Sequence, residues 1–433
     1  MAADLETLVS RKIMLRLIPF VMLLYFVSFL DRVNVGFAAL TMNQALGLSP
    51  AQFGLGGGVF FLGYFLFEIP SNLVLHKVGA RLWIARVMVT WGLVSAVSAF
   101  VVGPRSFYVL RFLLGVAEAG FFPGIILYLS LWFPAKQRAV ATAWFMAAAP
   151  ISTAIGSPLS GLIMQLPPML GLADWQMLYL IEAVPAVLLG FVVLKYMTDA
   201  PAKAQWLRPE EREWLVARLA AEANAKQSNA GHTTGILHAL RDGRVLALAL
   251  VYFGTSAGLY TLGLWAPTII RQFGYSALQT GLLNAIPSVI AIVVMILWAR
   301  HSDRSGERTW HVVIPCLLAC AGFILAGQAH TALLVVLALI VVNVGISAAK
   351  APLWAMPTLF LSGAGAAAGI AMINSLGNLG GFVGPFAIGW LKRETGSYAG
   401  GLYVVGATLA VSAAVTLLLS RQARRQPGVR PTV

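Results

Sequence analysis

The chain has 433 residues, 59% hydrophobic and 11% charged, with 30 Lys and Arg against 16 Asp and Glu. A soluble chain carries about 25% charged residues, so this composition excludes an ordinary soluble domain and predicts a polytopic membrane protein. The formal charge of +14 does not indicate nucleic acid, because the bases are dispersed over short loops.

Apolar runs of the roughly 20 residues that a bilayer requires fall at 14–40, 52–75, 83–103, 106–132, 138–166 and 176–198. A second set falls at 245–270, 279–300, 311–329, 331–356, 366–391 and 398–420. The expectation is an all-α membrane protein of twelve transmembrane helices: a six-helix bundle over 1–200, a connector over 201–243 and a second bundle over 244–433. Arg11, Lys12 and Arg16 precede the first run as in a signal peptide. Asp31-Arg32 breaks that run, and its length exceeds a signal core, so it reads as a retained helix. Arg105, Arg271, Lys392 and Arg393 fall in loops on one side, and Arg32, Arg111 and Lys350 fall within spans. The remaining bases lie on the side of both termini, which the positive-inside bias assigns to the cytoplasm.

In the connector, Pro209-Glu210-Glu211 reads as a helix start, with Pro pre-set for the first turn and acids at the positive end of the dipole. Trp214, Leu215, Arg218 and Leu219 give that short surface helix one edge, and Ser228-Asn229-Ala230-Gly231 reads as flexible linker. The two groups of six repeat. His76-Lys77-Val78-Gly79-Ala80-Arg81 matches Asp303-Arg304-Ser305-Gly306-Glu307-Arg308 at an offset of 227 residues (303 − 76), and Tyr25-Phe26 and Pro158 find Tyr252-Phe253 and Pro385 at the same offset. Parallel repeats of this kind place a substrate site at the midplane between halves, with alternating access by rocking.

Ionisable residues inside spans are the functional candidates, since each costs roughly 2.5–3.5 kcal/mol at the bilayer centre. Asp31 and Arg32 sit side by side in the first helix. Arg111 and Glu118 lie seven apart on the fourth, two turns up one face, and read either as an ion pair or as an acid that still titrates. Arg32 is the first candidate for a substrate carboxylate, which a guanidinium can grip with two parallel bonds. Lys350 stands alone well inside a second-half helix and reads either as a second anion contact opposite Arg32 or as a base that snorkels. Asn374 and Asn378 lie one turn apart and offer amides either to substrate or to a neighbouring helix. Phe60, Phe61, Tyr128 and Trp354 face either the cavity or lipid.

The glycines of 54–58 and 377–384 follow no strand and precede no Lys-Ser/Thr, so they read as helix-packing surfaces and not as phosphate loops. Cys316 and Cys320, one turn apart, form no disulfide framework, and no metal-ligand or nucleophile–base spacing appears.

The repeated segment resembles the signature of the major facilitator superfamily, G-x-x-x-D-R-x-G-R followed by Arg or Lys. The second copy keeps Asp303, Arg304, Gly306 and Arg308, with Ala299 and Glu307 departing; the first keeps Lys77, Gly79 and Arg81, with Asn72 for the first Gly and His76 for the acid. Phe67-Glu68-Ile69-Pro70-Ser71-Asn72, Gly79-Ala80-Arg81-Leu82-Trp83, Arg111 to Glu118 and Asn374 to Gly381 resemble the anion:cation symporter family, with bacterial tartrate, phthalate and hydroxyphenylacetate carriers nearest. The resemblance implies proton handling at Asp31 and Glu118, substrate contact at Arg32 and Tyr64, and a cytoplasmic gate at Arg81, Asp303, Arg304 and Arg308. The expected protein is a monomeric, cofactor-free, proton-coupled importer of a small organic anion in the cell inner membrane, with no nucleic-acid partner and no enzyme activity. A drug exporter on the same fold is the alternative.

Overall fold

The computed structural model describes residues 2–169, 171–228, 241–361 and 363–425; the expected linker at 229–231 and the tail from 426 lie outside the described residues. The first half contains α1 (Ala2–Ala45), α2 (Pro50–Val78), α3 (Ala80–Val97), α4 (Pro104–Glu118), α5 (Phe121–Trp132), α6 (Ala135–Ile163) and α7 (Asp174–Tyr196). The connector carries α8 (Pro209–Ser228). The second half contains α9 (Gly243–Arg271), α10 (Ala277–Ser305), α11 (Thr309–Gln328), α12 (Ala332–Ala355), α13 (Gly363–Asn378), α14 (Gly380–Thr395) and α15 (Ala399–Arg425).

Local chemistry sets these ends, and the repeat is visible in it. Ser49 and Ser276, 227 positions apart, each close a reciprocal capping box with Gln52 and Gln279. These boxes satisfy amides that the first helical turn leaves free, and the helices they open, α2 and α10, are both 29 residues long. Gly79 and Gly306 then terminate the pair with positive φ of 96° and 70°. Among the described residues, 11 helical segments are long and apolar enough to cross a membrane. The eleventh expected run, 366–391, is divided at Leu379 into α13 and α14, each 16 residues long and shorter than one crossing.

The halves meet where α2 packs on α13 and α14, α6 on α10, and α1 on α9. At the end bearing the α1–α2 and α9–α10 turns, contact is backbone on backbone. A Cβ on Gly54 would stand 2.6 Å from the Pro385 carbonyl oxygen, and one on Gly281 would stand 2.3 Å from that of Ser157. The two contacts follow the repeat to within one residue: Gly54 corresponds to Gly281, and the Cα of Pro158, the counterpart of Pro385, would stand 3.0 Å from the Gly281 Cβ. Helices approach this closely only across small residues. One hydrophobic core crosses between halves at this glycine end, with Phe53 edge-on to Trp265 at 5.1 Å. At the opposite end the first half keeps a core of its own, built on Val9, Ile13, Leu17, Leu75, Trp132 and Leu215.

The connector helix α8 joins that second core. Leu215 is buried, Trp214 and Leu219 pack against the first half, and Trp206 stacks on Trp132. Glu211 fixes the docking by accepting from Lys12 Nζ at 2.6 Å and from the Arg208 backbone N–H at 2.8 Å. Burial alone would push its carboxyl up, but the Lys12 hydrogen bond, the Arg208 N–H and both positive charges hold it below the usual carboxylate range.

A carboxyl whose folded pKa lies below its unfolded value of about 4.3 stabilises the fold above that value and loses the effect as pH falls through the folded one. The clasp is therefore complete at neutral pH and fails only in acid. Glu211→Gln should loosen α8 at pH 7, seen as faster amide hydrogen exchange in α8 than in α2. Unchanged exchange would show that apolar contacts alone hold the helix.

Candidate functional site

Between the halves, Arg32, Phe60, Phe61, Arg111, Tyr260 and Leu264, with Gly57 and Pro385, line a small cavity of about 20 Å³. Three helices of the first half line it: α1 carries Arg32, α2 the aromatic floor and α4 Arg111. From the second half, α9 supplies Tyr260.

The partner of Glu118 is Arg32. The Arg32 Nε donates to Glu118 Oε2 at 2.7 Å, and Nη1 donates to Tyr260 Oη at 3.2 Å. The expected Arg111–Glu118 pair is not what forms. Seven residues separate the two by about 10.5 Å along the helix, and the Arg111 guanidinium turns over the Phe60 ring, 5.0 Å from its centroid. Arg32 lies over the same ring at 5.6 Å and over Tyr64 at 5.2 Å. Two guanidinium groups thus flank one aromatic ring. Among the described residues, Nη2 of Arg32, Nε and Nη1 of Arg111 and the Tyr64 hydroxyl are buried without hydrogen-bond partners. Buried donors normally find acceptors, so this cluster is chemically suited to an anion.

Asp31, the neighbour of Arg32, faces away from the cavity. Its carboxylate accepts from Trp91 Nε1 at 2.6 Å, Ser95 Oγ at 3.0 Å and Asn34 Nδ2 at 3.1 Å, all within the first half. Sequence reasoning missed these donors, although Trp91 and Ser95 share a helix face four residues apart, as do Asp31 and Asn34 three apart. Tyr260 was missed as well, since nothing in its local sequence marks it.

Glu118 ends α4 because the chain breaks there. Ala119 leaves the helix with ψ 130° and Gly120 adopts the left-handed conformation at φ 87°. Gly120 serves twice, since a Cβ would also stand 2.3 Å from Ser71 Oγ. That hydroxyl donates to the freed Ala119 carbonyl at 2.6 Å and accepts from Trp83 Nε1. An acid at a helix C-terminus meets the negative end of the dipole, which leaves Arg32 as its stabilising partner.

The other candidates scatter around this centre. Asn374 donates to Glu68 Oε1 at 2.6 Å, while Asn378 is buried with its Oδ1 unpartnered. Lys350 is half-buried on α12 with no ion-pair partner among the described residues. It continues a polar face in which Ser347 bonds Asn343 and Asn343 bonds Ser288 of α10. Phe60 and Phe61 line the cavity; Tyr128 packs on Trp132 and Trp354 on Tyr252. The signature charges stay within their own halves. Arg308 pairs with Asp303 at 2.7 Å, and Arg304 is exposed. Arg81 takes Asp199, beyond α7, through its backbone N–H at 2.8 Å. Asp199 thus fills the role that His76 leaves open in the first copy.

Ser71→Ala strips the Ala119 carbonyl and the Trp83 indole of a partner, a change worth about 1–3 kcal/mol for a buried group. It should lower thermal stability in detergent and reduce transport through Glu118. Wild-type stability and transport together would show that the break needs no such support.

A sequence profile described as the Major Facilitator Superfamily matches residues 21–385. A "Putative tartrate transporter" of Agrobacterium vitis is 65% identical, the match covering 99% of this chain and 98% of that protein. A quinolone resistance transporter of Acinetobacter baumannii is 42% identical over 98% of this chain and 97% of its own length. The fold is that of the inward-facing, unoccupied crystal structure of a bacterial homolog to the human lysosomal transporter Spinster, with a TM-score of 0.75 at 16% identity, covering 95% of this chain and 97% of that one. The chain is accordingly a multi-pass inner-membrane transporter and not an enzyme, and it belongs to the major facilitator superfamily.

Proposed function

We propose that this transporter imports a small organic anion, tartrate-like or another compact carboxylate, together with protons. The observation that carries the reading is the pair of guanidinium groups, Arg32 and Arg111, flanking Phe60 with buried donors unpartnered. A cation site would be lined by acids and aromatics without them. The name of the Agrobacterium vitis relative supports the same substrate class. Tyr64, Asn378 and Lys350 would complete the polar lining and favour a substrate with more than one oxygen-bearing group.

The Arg32–Glu118 pair supplies a coupling mechanism. While Glu118 is ionised it occupies one edge of the Arg32 guanidinium. A proton on Glu118 removes the charge that holds Arg32, which then turns its fork to the substrate carboxylate. Asp31 would take a second proton within its Trp91, Ser95 and Asn34 shell. Carrying one net positive charge inward gains about 2.3 kcal/mol per 100 mV of inside-negative potential, so a monoanion requires two protons for electrogenic uptake and a dianion three. We assign twelve crossings to the chain, with α13 and α14 together forming the eleventh, both termini in the cytoplasm, and 1–200 and 244–433 moving as two bundles around a monomeric midplane site. Asp303, Arg304, Arg308 and Arg81 would then lie on the cytoplasmic side.

The name of the Acinetobacter baumannii relative favours a second reading, drug export on the same fold. Purified protein in liposomes discriminates the two. With an imposed inside-alkaline gradient, one of labelled tartrate, galactonate, phthalate or hydroxyphenylacetate should accumulate, and an ionophore should abolish the accumulation. No anion uptake with efflux of preloaded cationic dyes would give the exporter its place. In the importing protein, Glu118→Gln should retain anion exchange while losing uphill uptake by about 100-fold, the low end of the range for removal of a proton-transfer group. Unchanged uphill accumulation would remove Glu118 from the coupling.

A further inference from the structure

Glu68 is a buried acid to which the proposed transport mechanism gives no role. It lies on α2, ten residues beyond Gly58 and so about 15 Å from the glycine end. The residue is 4% exposed, and both its carboxylate oxygens are engaged by the other half of the molecule. Asn374 Nδ2 donates to Oε1 at 2.6 Å and Ser375 Oγ donates to Oε2 at 2.7 Å, both from α13. Placing a carboxylate in the membrane interior is costly, and packing alone gives no reason to do so between two apolar helices.

The internal repeat provides the comparison. The positions 227 away from Glu68, Asn374 and Ser375 are Met295, Ala147 and Ala148. The two interfaces are therefore alike at the glycine end, where Gly54 and Gly281 make matching contacts, and unlike beyond the midplane. A polar trio ties α2 to α13; its counterpart across α10 and α6 is apolar. Glu68 also lies one turn from Tyr64 on the same face of α2, next to the cavity occupied by Arg32.

Hydrogen bonds of 2.6 and 2.7 Å do not survive a separation of helices by even 1 Å, whereas alternating access moves the halves as bodies. We propose that Glu68, Asn374 and Ser375 form a latch that holds the end opposite the glycines closed on the α2–α13 side, and that its release opens the cavity there. Placed on one of two repeat-related interfaces, it makes that side the one that must break. Its position one turn from Tyr64 lets substrate in the cavity act on it through α2. The latch rests on movement of the halves and not on the identity of the substrate.

The test reads distance without substrate, which separates it from the anion reading. Spin labels at Lys77→Cys and Leu359→Cys, both exposed at that end, are placed in the protein with Cys316→Ser and Cys320→Ser. Glu68→Ala should raise the long-distance population relative to the short one by about tenfold, the loss of hydrogen bonds to a charged group. Met295→Ala, at the repeat-related position, should leave the distribution unchanged. The exchange Glu68→Gln with Asn374→Asp moves the carboxylate to α13 and should restore the wild-type distribution. Ser375→Ala, which removes one bond and keeps the charge, gives a smaller shift of the same sign and serves if Glu68→Ala does not fold. An unchanged distribution in Glu68→Ala or Ser375→Ala, an equal shift in Met295→Ala, or a swap that stays open would overturn the latch.

Discussion

The fold is organised around a charge pair that water does not stabilise. Moving one ion of carboxylate or ammonium size into a low-dielectric interior costs on the order of 20 kcal/mol in the idealised limit, and several after relaxation. Arg32 and Glu118 lie side-chain 7% and 0% exposed, so each depends on the other. Their 2.7 Å contact constrains much around it. It brings α1 and α4 within side-chain reach of each other, at the end of a helix broken by Ala119-Gly120, where Ser71 covers the carbonyl which that break exposes. The second half enters the same network through the Tyr260 hydroxyl. A group that gains or loses a proton at this point changes the stability of a contact spanning both halves. That is the physical requirement for coupling a proton to movement.

Two opposite tendencies act along the interface between halves. At one end, glycines at repeat-related positions let backbones touch, and a continuous apolar core joins the halves. At the other, the first half has a separate core stiffened by α8 through Lys12 and Glu211, and the signature charges bond within their own halves. A molecule packed this way is tight at one end and divided at the other. The Glu68 contact lies between these regimes, on the side where the repeat symmetry is broken by chemistry. The broken helices belong to the same description. Gly120 after Glu118 and Leu379 after Asn378 interrupt helices at the depth of the site, where irregular backbone is tolerated because protein and not lipid surrounds it.

Much of this was legible from the chain alone, for reasons that are local. Hydropathy and length located the apolar runs because a bilayer imposes a fixed thickness. The 227-residue offset was visible in six residues of loop, and the structure extends it to capping boxes, glycine termini and interface glycines. Charges inside spans marked the site because their cost leaves few other reasons for keeping them. The broken helices were less legible. Residues 366–391 read as one apolar run because hydropathy averages over a break, although Leu379-Gly380-Gly381 carried the signal for it.

The sequence by itself determined which residues are out of place in a membrane, which segments repeat and which family the chain belongs to. Only the tertiary structure decided who partners whom. Glu118 could face Arg111 on its own helix or Arg32 on another, and the rotation of α1 against α4 chose Arg32. Asp31 and Arg32, adjacent in sequence, point about 100° apart on a helix of 3.6 residues per turn, one toward α3 and the other into the cavity. Asn374 offered its amide to a substrate or to a helix, and the approach of α13 to α2 gave it to Glu68. Hydrogen bonds reach about 3 Å, so each choice depends on helix rotation and distance, which no local pattern encodes.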